Sequence, residues 1–350
     1  MIHDRIRRAR LLRGLTLDAV AQRVGDITKQ GLSKFEKGDA TPNSTRLIQL
    51  AKALDVKPEY FFRSEAVQLA ALEFRKLARM PQKRQHQVGE QMRDHLERYI
   101  SLERCFELDD AAPSMEPSRS LPVRNVDEAE AAAEALRDRW NIGGDAIAHL
   151  TELLEEHGIK VALLDDQDGF DGACAATEDE RHVLIALNGD RPGERLRFTA
   201  AHELGHWVMA LPEDMPERDK EACCNRFAGA FLYPRQRVLA EFGAHHRSRV
   251  LAAELLNAKR RHGVSMALAL RRLKDLNLIT DAGYQGMSIQ FSAKGWRTSE
   301  PESLLPEQPR RFESLVYRAL AEDLISLPRA AELMRCALAD VDPSLSRLPH

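Results

Sequence analysis

Within the stretch RFTAAHELGHWVM, residues 197–209, two histidines stand four apart with a glutamate directly after the first. On an α-helix, positions i and i+4 share a face, so His202 and His206 can aim two imidazoles at one metal ion. Glu203 lies one step round the helix, placed to work on a metal-held water rather than to bind the metal. Zinc suits two imidazoles, a carboxylate and an open position. It lowers the pKa of the water there toward ~7, and the glutamate can take the proton as hydroxide attacks a carbonyl. Such chemistry hydrolyses a peptide bond. Two histidines packed in a helical core would show the same spacing, so a third ligand is needed to decide. Glu221 follows fifteen residues after His206, in DKEACCNRFAGAFLYP, which reads as a helix ending before Pro234. Glu221 and Asn225 are i and i+4 on it, so Glu221 can be the third ligand and Asn225 can steady a ligand from behind. Ala228 and Gly229 are expected to keep this helix slim where it approaches the metal helix. The expected cofactor is Zn2+, with Mn2+ as a substitute in vitro.

These helices need a scaffold. At 350 residues the chain has room for two or three domains. Apolar residues make up 43% and charged residues 30%, with Ala, Leu, Arg and Glu plentiful and aromatics few, so a mainly helical protein is expected. DEAEAAAEALRDRWNIG and DAIAHLTELLEEHGIKVALLD predict two helices, the second running into a strand, and HVLIALNG predicts a short β-run before the histidine helix. This is a small α+β domain. Helical patterns return after residue 245, and SEPESLLPEQP breaks them before a last helical pair. The five cysteines lack C-x-x-C spacing, which fits reduced thiols in a cytosol rather than a disulfide framework. No run approaches the ~18 apolar residues of a membrane span, so a cytoplasmic protein with no membrane partner is expected.

The net charge of -3 hides a segregation: residues 1–63 hold 13 Lys/Arg against 7 Asp/Glu, a local excess of +6 that suggests a polyanion partner. This span reads as five short helices, with Thr16, Thr28 and Ser44 at N-cap positions and Gly14, Gly25 and Gly38 at helix ends. TLDAVAQRV and TKQGLSKFEKG would form the supporting and recognition helices of a helix-turn-helix. Leu32 and Phe35 supply the buried side of the latter, while Lys29, Gln30, Ser33 and Lys34 can meet base edges and phosphates. A helical bundle used for docking is the other reading of the same pattern. The helix order and SKFEKGDATPNSTRLIQLAKALDV resemble the XRE, or lambda-repressor-like, family. That resemblance implies that Thr28 caps the recognition helix and that Lys29, Gln30, Ser33 and Lys34 face double-stranded DNA; a homodimer on a near-palindromic operator is expected from the helix-turn-helix binding mode. Leu17 stands where members commonly carry a Gln.

LIALNGDRPGERLRFTAAHELGH and EACCNRFAGAFLYP resemble the ImmA/IrrE family of zinc metallopeptidases. The resemblance implies a gluzincin-like fold, zinc on His202, His206 and Glu221, Glu203 as general base, and HVLIALN as the edge strand along which substrate lies. Cys223 and Cys224 stand where an acidic residue and an alanine are common. His245, His246 and Tyr233 are weaker candidates for a transition-state donor; a solvated loop pair and a packed aromatic are the plainer readings. The expected organisation is a helix-turn-helix domain over 1–66, a charged helical segment and linker over 67–120, the peptidase-like domain over 121–240 and a helical region over 241–350. Two functions follow. One is a DNA-binding transcriptional regulator, antitoxin-like or phage- or stress-related, whose zinc endopeptidase centre cleaves a partner repressor or toxin, or its own linker at DDAAPSMEPSRS. The other is a non-catalytic DNA-binding repressor or antitoxin whose zinc domain is a structural or sensing module.

Overall fold

The computed structural model describes residues 1–63, 67–70, 80–106, 115–165 and 169–341. The expected linker at 109–120 therefore lies in part, through residue 114, outside the described residues. The protein is mainly α-helical with a small α+β part. Its first helices are α1 (Ile2–Leu12), α2 (Leu17–Val24), α3 (Lys29–Lys37) and α4 (Ser44–Ala53), then a 3-10 turn (Pro58–Phe62) and the long α5 (Gln82–Cys105). Next come β1 (Leu121–Pro122), α6 (Val126–Arg139), α7 (Leu150–Glu156), β2 (Ile159–Leu164), β3 (Gly172–Ala176) and β4 (Val183–Asn188). They lead to α8 (Gly193–Val208), β5 (Met209–Ala210), α9 (Glu217–Leu232), α10 (Arg235–Phe242), α11 (Ala252–His262), α12 (Met266–Asp275) and α13 (Asp281–Ala293). The chain ends in α14 (Arg311–Ala321), α15 (Leu327–Met334) and α16 (Leu338–Val341). Among the described residues no helix is long and apolar enough to cross a membrane.

Two compact units divide the chain. The first combines Met1–Ala112 and Ala175–Arg181 with Arg310–His350, so both ends of the chain belong to it. Its amino-terminal helices close round Ile6, Ala9, Val20, Leu32, Leu47, Leu50 and Phe61. Four are α-helices and the fifth element is the 3-10 turn that begins at Pro58, whose fixed φ suits a helix start. Thr16 and Thr28 accept from the N–H groups of Ala19 and Gly31, each at 3.1 Å. The cap of α4 is Asn43, which accepts from Arg46 N at 2.8 Å, whereas Ser44 is already the first helical residue. The amide oxygen of Asn43 reaches the orphan N–H that the Ser44 hydroxyl was expected to satisfy. Gly38 ends α3 in the left-handed region, φ 81°, which a residue with a Cβ adopts only under strain. The charged helix α5 is the spine of this unit: Asp94, Glu97, Arg98 and Glu103 are all buried, in ion pairs.

The second unit, Pro113–Cys174 with His182–Pro309, carries the sheet and the histidine helix. Strand order is β2-β4-β3, with β2 and β4 parallel in register from Ile159↔Val183 to Leu164↔Asn188. This corrects the expectation that HVLIALN forms an edge. All six residues of β4 are buried, because an uninterrupted apolar run is the signature of a strand paired on both sides and covered on both faces. The edges are β2 and β3. A short parallel pair, β1 with β5, joins Leu121 and Pro122 to the chain leaving α8.

Candidate functional site

α8 is buried over most of its length; Ala200, Ala201, Leu204 and Val208 seat it in the core. His202 and His206 emerge on one face of it, with side chains 11% and 16% exposed, and Glu221 reaches them from the second turn of α9. The two histidine Nε2 atoms are 3.2 Å apart, while Glu221 places Oε2 3.4 Å from His202 Nε2 and Oε1 3.4 Å from His206 Nε2. Donor atoms about 2.0–2.2 Å from a tetrahedral zinc ion lie about 3.3–3.5 Å from one another, so these three already mark one face of such a tetrahedron. The donor set is the borderline nitrogen and oxygen set that zinc accepts. The residues present therefore fit zinc. Among the described residues this is the one group of three His, Cys, Asp or Glu side chains that converges in this way. Glu203 is 2% exposed and sits beside His202 on the same helix. Asn225, one turn beyond Glu221, is exposed.

The close approach of α8 and α9 rests on Gly205, which no spacing in the sequence marks. A Cβ on Gly205 would stand 2.9 Å from Phe227 Cδ1, so the glycine next to His206 lets the two helices meet. Gly229, expected in that role, faces elsewhere: a Cβ there would meet Arg272 Cδ at 3.1 Å and Leu268 Cδ1 at 3.4 Å, both on α12. Buried polar groups fix the helix positions. Arg272, fully buried, donates to Glu130 on α6 at 2.8 and 2.5 Å and to the Tyr233 carbonyl at 3.0 Å, and Arg226 on α9 binds the same carboxylate. Burial alone would raise the Glu130 carboxyl, but Arg272 and Arg226 hold it below its ordinary range. At the start of α8, buried Lys259 donates to Glu194 at 2.6 Å, and Arg197 donates to the Ile147 carbonyl at 2.7 Å. None of these residues announces itself by spacing, since each meets partners far away in sequence.

Tyr233 is fully buried and donates to Glu241 at 2.7 Å, while His245 and His246 are exposed, in keeping with the plainer readings of all three. Cys223 and Cys224 are both buried, and burial, with Asp219 and Glu128 nearby, raises the Cys223 thiol pKa.

In the first unit, α3 buries Leu32 and packs Phe35 against the core, leaving Thr28, Lys29, Gln30 and Lys34 exposed and Ser33 half-exposed. Lys29 pairs with Asp18 at 2.8 Å, with both side chains more than half exposed. An exposed pair of this kind contributes at most about 1 kcal/mol, so a phosphate can displace Asp18 at little cost.

Residues 6–61 match the family model described as Helix-turn-helix. Residues 154–274 match a peptidase family model described as IrrE N-terminal-like domain, a span that contains His202, Glu203, His206 and Glu221. No curated protein matches the chain. By these two matches the chain joins a helix-turn-helix domain, of the kind that binds DNA, to an IrrE N-terminal-like domain that follows it.

Proposed function

We propose that this protein is a DNA-binding transcriptional regulator whose second unit is a zinc-dependent endopeptidase acting on a regulatory partner protein. The observation that carries the peptidase reading is the set of three donor atoms at 3.2–3.4 Å contributed by His202, His206 and Glu221 beside a buried Glu203. Zinc, when bound, supplies a Lewis acid that polarises a carbonyl and acidifies water. The chain's own part is to hold that donor set rigid and to move a proton. Glu203 takes the proton of the attacking water and returns it to the leaving amine, and its burial removes competing bulk water from the exchange. Asn225, one turn from Glu221, is the residue placed to steady a ligand from behind. An extended substrate pairs with an edge strand, β2 or β3, since β4 is already paired on both sides.

A partner is a better substrate than the protein's own linker. The chain leaves the first unit near residue 112, returns to it over Ala175–Arg181 and again from Arg310, so one cut near residue 113 frees residues 1–112 but leaves Arg310–His350 of the same unit covalently joined to the second. The test incubates zinc-loaded wild type and Glu203→Gln with DNA and with the products of neighbouring genes and reads fragments by intact mass. Cleavage by wild type should fall at least about 100-fold in Glu203→Gln, whose zinc content stays near that of wild type. His202→Ala/His206→Ala should lose both zinc and cleavage. If no cut depends on Glu203 while zinc is bound, the zinc domain is a structural or sensing module of a non-catalytic repressor.

A further inference from the structure

Of the two edges of the sheet, β3 is the one laid against the helix that carries the histidines. A Cβ on Gly172, the first residue of β3, would collide with Thr199 Cγ2 on α8, three residues before His202, and would stand 3.2 Å from the Ala186 carbonyl of β4. Only a glycine fits where the strand, its neighbour and the metal helix come together. The rest of β3 is Ala173, Cys174, Ala175 and Ala176, all buried and all small, so its side chains leave room for those of a strand laid beside it.

The outer edge of that strand is already met by the chain itself. Residues 67–70, which follow the helix-turn-helix domain in sequence, run antiparallel to the end of β3 and the turn after it. Leu69 stands opposite Thr177, Ala70 N donates to the Ala176 carbonyl at 2.9 Å, and Glu178 N donates to the Gln68 carbonyl at 3.2 Å. This pairing lies inside the first unit, to which Ala175–Arg181 belongs. The side chains alternate as on a strand: Leu69 is 8% exposed while Gln68 is open to solvent. Val67 N donates to Glu97 on α5 at 3.3 Å, which anchors the start of the segment. An extended peptide added to a sheet edge takes its affinity from main-chain bonds of this kind and its selectivity from alternate side chains.

We infer that the outer edge of β3 is a peptide-binding edge and that residues 67–70 occupy its end as a built-in competitor. Its guests are extended, uncharged segments that present an aliphatic side chain where Leu69 lies, and each must displace residues 67–70 to pair there. The competitor is tethered, so it acts at a high effective concentration and holds back weak guests. The inference rests on the peptidase reading in one respect, that a bound segment is then cut; the binding itself needs no metal.

The test follows, by fluorescence anisotropy, a labelled peptide copying residues 65–72, EAVQLAAL, as it binds the full chain carrying Glu203→Gln, so that nothing is cut. Adding Ala70→Pro removes the N–H that bonds the Ala176 carbonyl and should undock the segment. The peptide should bind this variant at least about tenfold more tightly than the chain with Ala70 intact, since the edge is no longer filled, and a peptide carrying the Leu69→Asp change should bind neither. If Ala70→Pro loses its thermal transition, Leu69→Ala takes its place, with an expected gain of at least about threefold. In a second arm, zinc-loaded chains with Glu203 intact are given unfolded casein, and Ala70→Pro should raise the rate of cutting at least about tenfold. Tighter peptide binding with no casein cut by either chain supports the occupied edge and counts against the peptidase reading. No peptide binding up to about 1 mM, equal peptide affinity with and without Ala70→Pro, or equal casein rates in chains that do cut would overturn the inference.

Discussion

At the scale of single residues, function in this protein rests on side chains whose freedom has been removed in one place and kept in another. His202 and His206 are held by a buried helix, and Glu221 completes a donor triangle whose edges fit zinc. Donors carried on buried helices lose little side-chain entropy on binding a metal, which favours affinity. Lys34 is the opposite case, exposed on α3 and free to follow a phosphate. In a titration against a selected operator at several salt concentrations, Lys34→Ala should weaken binding and reduce the slope of log affinity against log salt by about one. An unchanged affinity and slope would remove α3 from the interface.

At the scale of elements, the metal site depends on how closely α8 and α9 approach. Gly205→Ala puts a methyl group 2.9 Å from the ring of Phe227, which is fully buried and stacked on Phe231 at 5.8 Å, so neither side can yield. The variant should lose about 1–3 kcal/mol of stability and bind zinc more weakly, as read by chemical denaturation and by competition with a chelator. The Glu130 cluster makes a second prediction. Its folded pKa lies below the unfolded one, so its contribution is present above the ordinary carboxylate range and is lost as pH falls through the folded value. Melting of the wild type should therefore weaken below about pH 4.3. Glu130→Gln should cost about 3–5 kcal/mol at neutral pH, because fully buried Arg272 loses its main counter-charge, and should flatten the acid dependence. A melting curve whose pH dependence is identical in both proteins would show that other carboxylates set it.

At the scale of the whole molecule, the first unit is closed by its two chain ends. Arg63 reaches Glu332 at 2.8 Å, Arg311 reaches Glu103 at 2.7 Å, and Tyr99 packs on Phe312 with ring centroids 5.2 Å apart. Tyr99, Leu102, Val316, Ala330 and Leu333 form one apolar cluster between α5 and the last helices. An engineered protease site after residue 117 would cut the polypeptide between the units. The two fragments should still co-elute on gel filtration, because the carboxy-terminal fragment keeps its grip on the amino-terminal one through α14 and α15. Separate elution after a complete cut would show that this cluster does not hold without the covalent link.

Much of this was legible in local sequence, because local physics governs it. The helix-turn-helix is written in caps, glycine stops and a basic balance, and the metal donors in an i, i+4 spacing on one helix and a glutamate near the start of the next; each of these signals acts within a few residues. Strand β3, GACAA, gave no such signal, since it has none of the β-branched or aromatic residues that mark strands and forms because β4 pairs with it. The position of β4 in the middle of its sheet and the pairing of Gly205 with Phe227 were likewise decided by tertiary structure. The buried ion pairs show this most clearly, since their partners lie far apart in the chain: Arg272 is 142 residues from Glu130, and Arg63 is 269 from Glu332. A charged helix such as α5 reads as solvated by composition, and only its packing between the amino-terminal helices and the returning carboxy-terminal helices buries Asp94, Glu97 and Arg98 in a network of shared ion pairs. Sequence determined which side chains could do chemistry, while the fold decided which of them meet, because burial and charge balance are properties of a neighbourhood that no stretch of chain contains by itself.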